Sequence, residues 1–238
     1  MTVSILFYII KLYMLKHDII NSFGKKFNFN SYLEISSVGT GYVYNKIDNK
    51  IFTTKSAIYY IPETDVNLKI FKRNDIDIKP NKYEYHHNRI RSEKIKYDIV
   101  FVDSWHSYEQ SLLDLETALT HISENGIIVV HDCCPYTEDL IGKFRRGGWC
   151  GQTYEAFIDF RYNHRELQTF CLYTDYGCGI ISMSSRFNID QNFEEYDKNK
   201  TREWNYFNLN KTKLLNLIEL DDFIKKQLVY SLQLTENS

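Results

Sequence analysis

The chain lacks the charge imbalance, the cysteine spacing and the long apolar runs that mark several classes of protein. Its 29 basic and 31 acidic residues give a formal net charge of −2, and no block of lysines and arginines stands out. Because nucleic-acid binding depends on clustered positive charge, we expect no nucleic-acid partner. No internal repeat, low-complexity tract or clear linker divides the 238 residues.

The cysteines and the first residues argue against secretion and membrane insertion. The five cysteines are odd in number, and two of them, Cys133 and Cys134, are adjacent. Neither a disulfide framework nor a zinc-type spacing is present, which favours a reducing, cytoplasmic location. The apolar segment Met1 to Leu15 is interrupted by Lys11 and is too short for a spanning helix, so we expect no stable membrane insertion. It predicts a docking helix, unless Met14 is the true start. A signal peptide is disfavoured, since no basic segment precedes this run and no small-residue cleavage site follows it.

Two apolar runs, each ending in an aspartate, dominate the hydrophobic pattern. Tyr97 to Asp103 and Gly126 to Asp132 are apolar, and the stretch from Tyr108 to Ile122 between them has apolar residues at helical spacing. This order predicts a strand, a crossover helix and a second, parallel strand. Asp103 and Asp132 should then emerge at one edge of the sheet, where open α/β sheets bind ligands. The alternative is that each aspartate only caps the following helix.

A glycine turn follows the first predicted strand. Ser31 to Ser36 predicts this strand, Gly39 and Gly41 the turn, and Tyr42 to Ile47 the start of a helix. Glycine has no Cβ, so its backbone N–H groups can approach a ligand closely. The alternative is an ordinary tight turn.

The remaining elements follow from shorter patterns. Further strands are predicted at Ile51–Ile61, Val66–Phe71, Thr169–Thr174 and Gly179–Ser184, and helices at Thr137–Phe144, Tyr154–Tyr162 and Trp204–Leu232. The fold class is therefore α/β, with a mostly parallel sheet, helices on both faces and a C-terminal antiparallel hairpin that closes the sheet. An amphipathic C-terminal segment packs on its own domain or on a second subunit, so a homodimer is one expectation.

The residues around the two aspartates indicate a chemistry. Two carboxylates at adjacent strand ends suit Mg²⁺ or a similar hard ion. His106, at the start of the next helix, could accept a proton from a hydroxyl held by that ion, or could contact only water or a backbone carbonyl. His131 could orient a ligand, although a buried core histidine is the favoured interpretation. Cys133 is not assigned as a ligand, because thiols prefer softer metals.

These residues resemble the class I S-adenosylmethionine-dependent methyltransferases, and among them the catechol-type and bacterial glycan-linked O-methyltransferases. The resemblance covers roughly Tyr32 to Ser184. The first motif of the family places an acid, an apolar residue and glycines at the end of strand one. Glu34, Ser36, Gly39 and Gly41 occupy these positions, with Ser36 in place of the usual first glycine. The resemblance implies that these four residues bind S-adenosylmethionine.

The second part of the resemblance concerns the reaction. In catechol-type enzymes a metal-binding Asp ends the fourth strand, a Trp beside the adenine follows two residues later, and the catalytic base comes next. Asp103, Trp105 and His106 match these positions, with His in place of the more familiar Lys. Asp132 matches the next metal ligand, and Cys133 replaces its Asn neighbour. The resemblance thus implies a Rossmann-like O-methyltransferase that uses S-adenosylmethionine, with Mg²⁺ as a further expected cofactor, on a small-molecule or glycan acceptor.

The resemblance divides the chain into an N-terminal helical extension (1–30), a methyltransferase-like domain (31–187) and a C-terminal helical extension (188–238). One departure concerns the acid that normally ends the second strand and accepts hydrogen bonds from the cofactor ribose. Ile51 to Ser56 contains none, which leaves Glu63 or Asp65 for that role. A catalytically degenerate binding or scaffold protein of the same fold is therefore the second hypothesis. A metal-dependent hydrolase or hydroxylase is the third, and it lacks a visible nucleophile or further ligands.

Overall fold

The computed structural model describes residues 13–37, 42–60, 95–103, 105–142, 144 and 148–226. Seven strands lie in these ranges: β1 Ser31–Ser37, β2 Thr54–Tyr60, β3 Tyr97–Asp103, β4 Ile122–Val130, β5 Gln168–Tyr173, β6 Cys178–Ser182 and β7 Leu217–Glu219. The α-helices are α1 Lys16–Phe27, α2 Tyr42–Lys46, α3 Tyr108–His121, α4 Thr153–Asn163 and α5 Trp204–Leu214, and residues 220–226 are also helical.

The strands form one mixed sheet in the order β2-β1-β3-β4-β6-β5-β7. The pairs β1–β2, β1–β3, β3–β4 and β5–β7 are parallel, whereas β6 is antiparallel to both β4 and β5. Ser36 lies opposite Asp103, and Val102 opposite Val130, so the carboxyl ends of the central strands meet at one edge. The predicted α/β class, with a mostly parallel sheet and an antiparallel hairpin, is confirmed.

Alternate residues of the central strands enter two separate cores, as the two-residue period of a strand requires. On one face, Val100 and Val102 pack with residues of α3, α4 and α5. On the other face, Ile99 and Phe101 pack with residues of α1 and with Val43 of α2. Helices therefore cover both faces, which explains why β3 reads as a continuous apolar run. None of the helices in the described ranges is both long and apolar enough to span a bilayer.

The hairpin of β5 and β6 is present, but it does not close the sheet as predicted. β6 inserts between β4 and β5, and β7 then pairs in parallel with β5. The continuous helix predicted from Trp204 to Leu232 is also wrong, because α5 ends at Leu214 and the chain turns at Asn216, whose φ is 48°. Asparagine tolerates this left-handed conformation, and its amide donates to the carbonyls of Thr169 and Asp190. The unpaired edge of β5 thus gains a strand at the expense of helix length.

Two other predicted bounds differ from the structure. The helix predicted over Thr137 to Phe144 is only a 3₁₀ turn, Glu138–Leu140, followed by Gly142 at a φ of 85°. The second strand begins at Thr54, because the N–H groups of residues 51 and 52 instead donate to the carbonyl of Asp48. The strand predicted at Val66–Phe71 lies outside the described residues, as does most of the docking helix predicted at Met1 to Leu15.

α1 anchors the start of the described chain against the sheet. Its apolar face buries Ile19, Ile20 and Phe23, and the ring of Phe23 contacts that of Phe187 at a centroid distance of 5.5 Å. The helix ends at Asn28, which has a φ of 54°. This packing fixes the first residue of the helix, Lys16, at the edge where β3 and β4 end.

Candidate active site

Two carboxylates and two imidazoles converge where β3 and β4 end. Nε2 of His106 lies 3.3 Å from Oδ1 of Asp103 and 3.2 Å from Oδ2 of Asp132. Nδ1 of His131 lies 3.5 Å and 3.0 Å from the same two oxygens. The structure therefore brings Asp103, Asp132 and His106 together, and it adds His131 to them. His131 is buried, as a core histidine would be, but both of its ring nitrogens face carboxylates.

The backbone after β4 explains why Asp132 faces Asp103. His131 extends the parallel ladder by donating its N–H to the carbonyl of Val102 at 3.0 Å, and Asp132 then adopts a φ of 60°. A positive φ at a residue other than glycine is uncommon and is frequent at functional sites. The next residue, Cys133, donates its N–H to the carbonyl of Gly177 in the β5–β6 turn. A Cβ at Gly177 would lie 2.2 Å from the backbone nitrogen of Cys134, so this close approach requires glycine.

The β5–β6 turn and the start of α1 supply two residues that sequence reasoning missed. Oδ2 of Asp175 lies 3.5 Å from Nε2 of His131 and accepts the backbone N–H of Lys16 at 2.9 Å. The Lys16 ammonium lies 3.1 Å from Oδ2 of Asp103. The turn-forming sequence from Asp175 to Gly177 marks a tight turn, but nothing local indicates that this turn meets the site. No signal in the sequence around Lys16 points to Asp103.

The two carboxylates of Asp103 and Asp132, with the side chains around them, form a charged cluster that is almost closed to water. Its other members are His106, His131, Asp175 and Lys16. Asp103, Asp132 and His131 are 7%, 6% and 5% exposed. Burial alone would raise the pKa of Asp103, but the charges of Lys16 and His131 hold that pKa well below its usual range. Burial alone would lower the pKa of His131, but the carboxylates of Asp132 and Asp103 keep it well above its usual range. Burial likewise opposes the charge of Lys16, whose pKa is nevertheless raised by Asp103, Asp132 and Asp175.

The loop before α4 fixes a hydrogen on Nδ1 of His106. Its Nδ1 lies 2.6 Å from the carbonyl oxygen of Trp149, and a carbonyl only accepts, so Nδ1 carries a hydrogen. In the charged ring, Nε2 also carries a hydrogen, which it donates toward the two carboxylates; the neutral ring has its lone pair at Nε2. Burial lowers the pKa of His106, but the charge of Asp132 and the hydrogen bond to Asp103 outweigh it and raise this pKa. The ring is thus placed to take and release a proton at Nε2.

Three aromatic rings pack against one another, and one of them, that of Trp149, contacts His106. The ring centroid of Trp105 lies 5.0 Å from that of Trp149 and 5.1 Å from that of Phe144. The ring centroids of His106 and Trp149 are 5.3 Å apart. Trp105 is partly exposed, and Phe144 is 45% exposed. An accessible aromatic surface therefore adjoins the charged cluster.

Glu34 and Ser36 lie in β1, beside the end of β3. Both are fully buried, and the Ser36 hydroxyl donates to Oε1 of Glu34 at 2.9 Å while the hydroxyl of Tyr32 donates to Oε2 at 2.8 Å. Burial raises the pKa of Glu34 to about 7. Gly39 and Gly41, the other predicted members of this motif, lie outside the described residues, as do Glu63 and Asp65.

The donor set fits a divalent metal ion. Asp103, His131 and Asp132 each offer one ligand atom, and these three atoms lie within 4.8 Å of one another. Carboxylate oxygens suit Mg²⁺ and Mn²⁺, whereas an imidazole nitrogen suits transition metals. The two predicted ligands, Asp103 and Asp132, are therefore joined by a nitrogen donor, His131, which the sequence analysis did not assign as a ligand.

A protein-family model matches part of the chain. The model of a methyltransferase domain family matches residues 76–133, which include β3, α3, β4 and the residues Asp103, His106 and Asp132. The predicted resemblance to methyltransferases is confirmed by this match. No curated protein sequence matches the chain.

Solved structures of methyltransferases are also similar to the chain. An SAH-bound methyltransferase from Podospora anserina is 16% identical with a TM-score of 0.48, over 71% of this chain and 78% of that one. An O-methyltransferase from Bacillus cereus in complex with SAH is 14% identical with a TM-score of 0.49, over 70% and 80%. The MycE methyltransferase of the mycinamycin biosynthetic pathway, in complex with Mg and SAH, is 15% identical with a TM-score of 0.41, over 72% and 50%.

Proposed function

We propose that this protein transfers the methyl group of S-adenosylmethionine to a hydroxyl group of a small molecule or a sugar. The observation that carries the proposal is the position of His106, whose Nε2 faces the carboxylates of Asp103 and Asp132 at 3.3 and 3.2 Å. These three residues lie within the segment that the methyltransferase family model matches. A base beside a possible metal site, at the carboxyl edge of a parallel sheet, suits the activation of a hydroxyl.

The cofactor would bind at the same edge of the sheet. Glu34 and Ser36 in β1 and the turn containing Gly39 and Gly41 are the proposed contacts, and Trp105 would pack against the adenine. The partly exposed ring of Trp105, supported by Trp149, is consistent with such stacking.

Asp103 and Asp132, with His131 as a third donor, would hold a divalent ion. Such an ion, when bound, lowers the pKa of a hydroxyl that it contacts and orients its oxygen. The protein itself supplies the fixed carboxylates and the shielding of the site from water. The nearly complete burial of both aspartates strengthens every electrostatic interaction made there.

His106 would take the proton that the acceptor hydroxyl loses. The acceptor oxygen forms a bond to the methyl carbon as the carbon–sulfur bond breaks, and the sulfur leaves with that electron pair. The hydroxyl proton moves to Nε2 of His106, because Nδ1 already donates to the carbonyl of Trp149. Alignment of oxygen, carbon and sulfur by the surrounding residues supplies much of the rate.

Replacement of His106 tests this role. We expect His106→Ala to lower kcat by about 100-fold or more, since a positioned base contributes roughly that factor, with S-adenosylmethionine affinity changed by less than about twofold. Turnover would be measured as transfer of a labelled methyl group to a panel of catechols and sugars. His164→Ala is the matched control, because His164 follows the far end of α4 and contacts Glu116 and Glu166. An equal loss of turnover and cofactor affinity would remove His106 from the role of base.

A non-catalytic binding or scaffold protein of the same fold is the second candidate. Two observations favour it. The Ser36 hydroxyl donates its hydrogen bond to Glu34 instead of facing a cofactor, and no acidic residue lies between Ile51 and Ser56. Failure of a folded sample to bind S-adenosylmethionine would support this candidate. The cytoplasmic location, the homodimer and the division at residues 30 and 187 remain proposals.

A further inference from the structure

Three contacts join the start of α1 to the charged cluster and to the β5–β6 turn beside it. The Thr174 hydroxyl donates to the carbonyl of Met14 at 2.8 Å, and the backbone N–H of Lys16 donates to Asp175 at 2.9 Å. The ammonium of Lys16 then reaches Asp103 at 3.1 Å. Two of these contacts involve backbone groups of Lys16 and of the residue two positions before it, so the fold fixes the point from which the lysine side chain extends.

The ammonium stands among the atoms that would hold a metal ion. It lies 3.2 and 3.3 Å from the two ring nitrogens of His131, in addition to its contact with Asp103. Two of the three potential metal ligands, Asp103 and His131, are therefore within 3.5 Å of a permanent positive charge. The side chain of Lys16 is 20% exposed, which leaves it a route toward solvent.

We propose that the Lys16 ammonium is a built-in cation of this cluster, and that a divalent metal ion binds there only by displacing it. This inference rests on the proposed function only in assigning the metal to Asp103, His131 and Asp132. A divalent ion among these ligands would meet a like charge at close range in a buried site, where screening is weak. It would also compete with the ammonium for the Asp103 carboxylate. Lys16 therefore sets how tightly the protein holds a metal ion, from a helix outside the segment that supplies the ligands.

The substitution Lys16→Met isolates the ammonium. Methionine keeps most of the apolar stem, and the backbone N–H that donates to Asp175 is unchanged. The matched control is Lys25→Met, because Lys25 is an exposed lysine in the last turn of the same helix. Lys16→Arg retains the positive charge, and Lys16→Gln provides a second neutral variant if the methionine variant does not fold.

The experiment is calorimetric titration of each full-length variant with Mn²⁺ alone and with Mg²⁺ alone, without S-adenosylmethionine or acceptor. We expect Lys16→Met to bind Mn²⁺ at least about tenfold more tightly than the wild type, with Lys25→Met and Lys16→Arg close to the wild type. Adding Asp103→Asn to Lys16→Met should abolish the gain, which places the binding in this cluster.

Three results would overturn the inference: equal affinity in Lys16→Met and the wild type, weaker affinity in Lys16→Met, or no binding by either neutral variant in a folded sample. Thermal unfolding of each variant establishes that it is folded before titration. Because no methyl donor is present, the outcome is independent of methyl transfer. A protein that binds metal as expected but transfers no methyl group would contradict the proposed function and leave this inference intact.

Discussion

Glu34 should make the protein less stable as the pH rises, and a single substitution should remove this effect. Its carboxyl group is fully buried in β1, and hydroxyl groups of Tyr32 and Ser36 donate to its two oxygens. Burial raises its pKa from 4.5 to about 7, although these hydrogen bonds favour the ionised form and oppose the shift. Burial wins because two hydroxyl groups replace only part of the hydration that a carboxylate loses.

The sign and size of the effect follow from linkage. The folded state binds the Glu34 proton more tightly than the unfolded state, so ionisation costs stability. The stability is fully present below pH 4.5 and is lost as the pH rises through about 7. The rise in the pKa of Glu34 from 4.5 to about 7 corresponds to about 3 kcal/mol of unfolding free energy, since a tenfold change in an equilibrium constant is about 1.4 kcal/mol.

The assay is urea unfolding of the wild type and of Glu34→Gln at about pH 5 and about pH 8. Glutamine cannot ionise, so the wild type should lose about 2.5 kcal/mol more than the variant between these two conditions; the rest is already lost at about pH 5, where most of the unfolded chains carry an ionised Glu34. His106 and His131 are present in both proteins, so their contributions cancel in the comparison. Glu195→Gln, at an exposed position, is the matched control and should follow the wild type. Parallel pH dependence of Glu34→Gln and the wild type would show that the ionisation of Glu34 does not cause the loss of stability.

Three further predictions concern the site. Gly151→Ala should destabilise the protein by at least about 2 kcal/mol in urea unfolding and should lower turnover. The φ angle of Gly151 is +56°, and a Cβ there would lie 2.2 Å from the carbonyl oxygen of His106. A loss of stability below about 0.5 kcal/mol would contradict this. The pKa of Asp175 is lowered by His131 and Lys16 against the effect of burial, so its contribution to stability should be present above about pH 4 and lost as the pH falls through its folded pKa. Asp175→Asn should therefore lose less unfolding free energy than the wild type on acidification, and an equal loss would contradict this. Trp105→Ala should weaken S-adenosylhomocysteine binding by about tenfold in calorimetry, whereas Trp105→Phe should keep most of the affinity, since stacking on an aromatic ring contributes about 1–3 kcal/mol. Equal affinity of Trp105→Ala and the wild type would remove Trp105 from the cofactor site.

The central strands and the position of the two aspartates could be predicted because their signals are local. The apolar run of β3 and the helical spacing of α3 each lie within one segment, and the parallel crossover follows from connection rules. The same reasoning placed Asp103 and Asp132 at one edge. The left-handed backbone at Asp132, which turns its side chain toward Asp103, has no comparable signature in the sequence.

The rest of the cluster could not be predicted because it depends on contacts between distant segments. Lys16 and Asp175 are 159 residues apart in the chain, and they meet only after α1 packs on one face and the β5–β6 turn closes on the end of β4. His131 reads as a core residue because it follows an apolar run, and only the folded chain shows that its ring faces Asp132 and Asp175.

The end of α5 shows a different limit. The apolar spacing from Trp204 to Leu232 fits one helix, and such a pattern says nothing about a sheet edge that needs a partner. β7 supplies this partner to β5, and the three residues Leu217–Glu219 leave the helical path to do so. Tertiary pairing here outweighs local helical propensity.

Whether the protein binds the methyl donor is tested most directly by calorimetric titration of the full-length protein with S-adenosylmethionine and with S-adenosylhomocysteine, each with and without Mg²⁺. We expect micromolar binding of at least one of the two compounds, which would establish that the protein binds this cofactor and justify a search for the acceptor. No binding under any of these conditions, by protein shown to be folded, would contradict this expectation and would favour the scaffold.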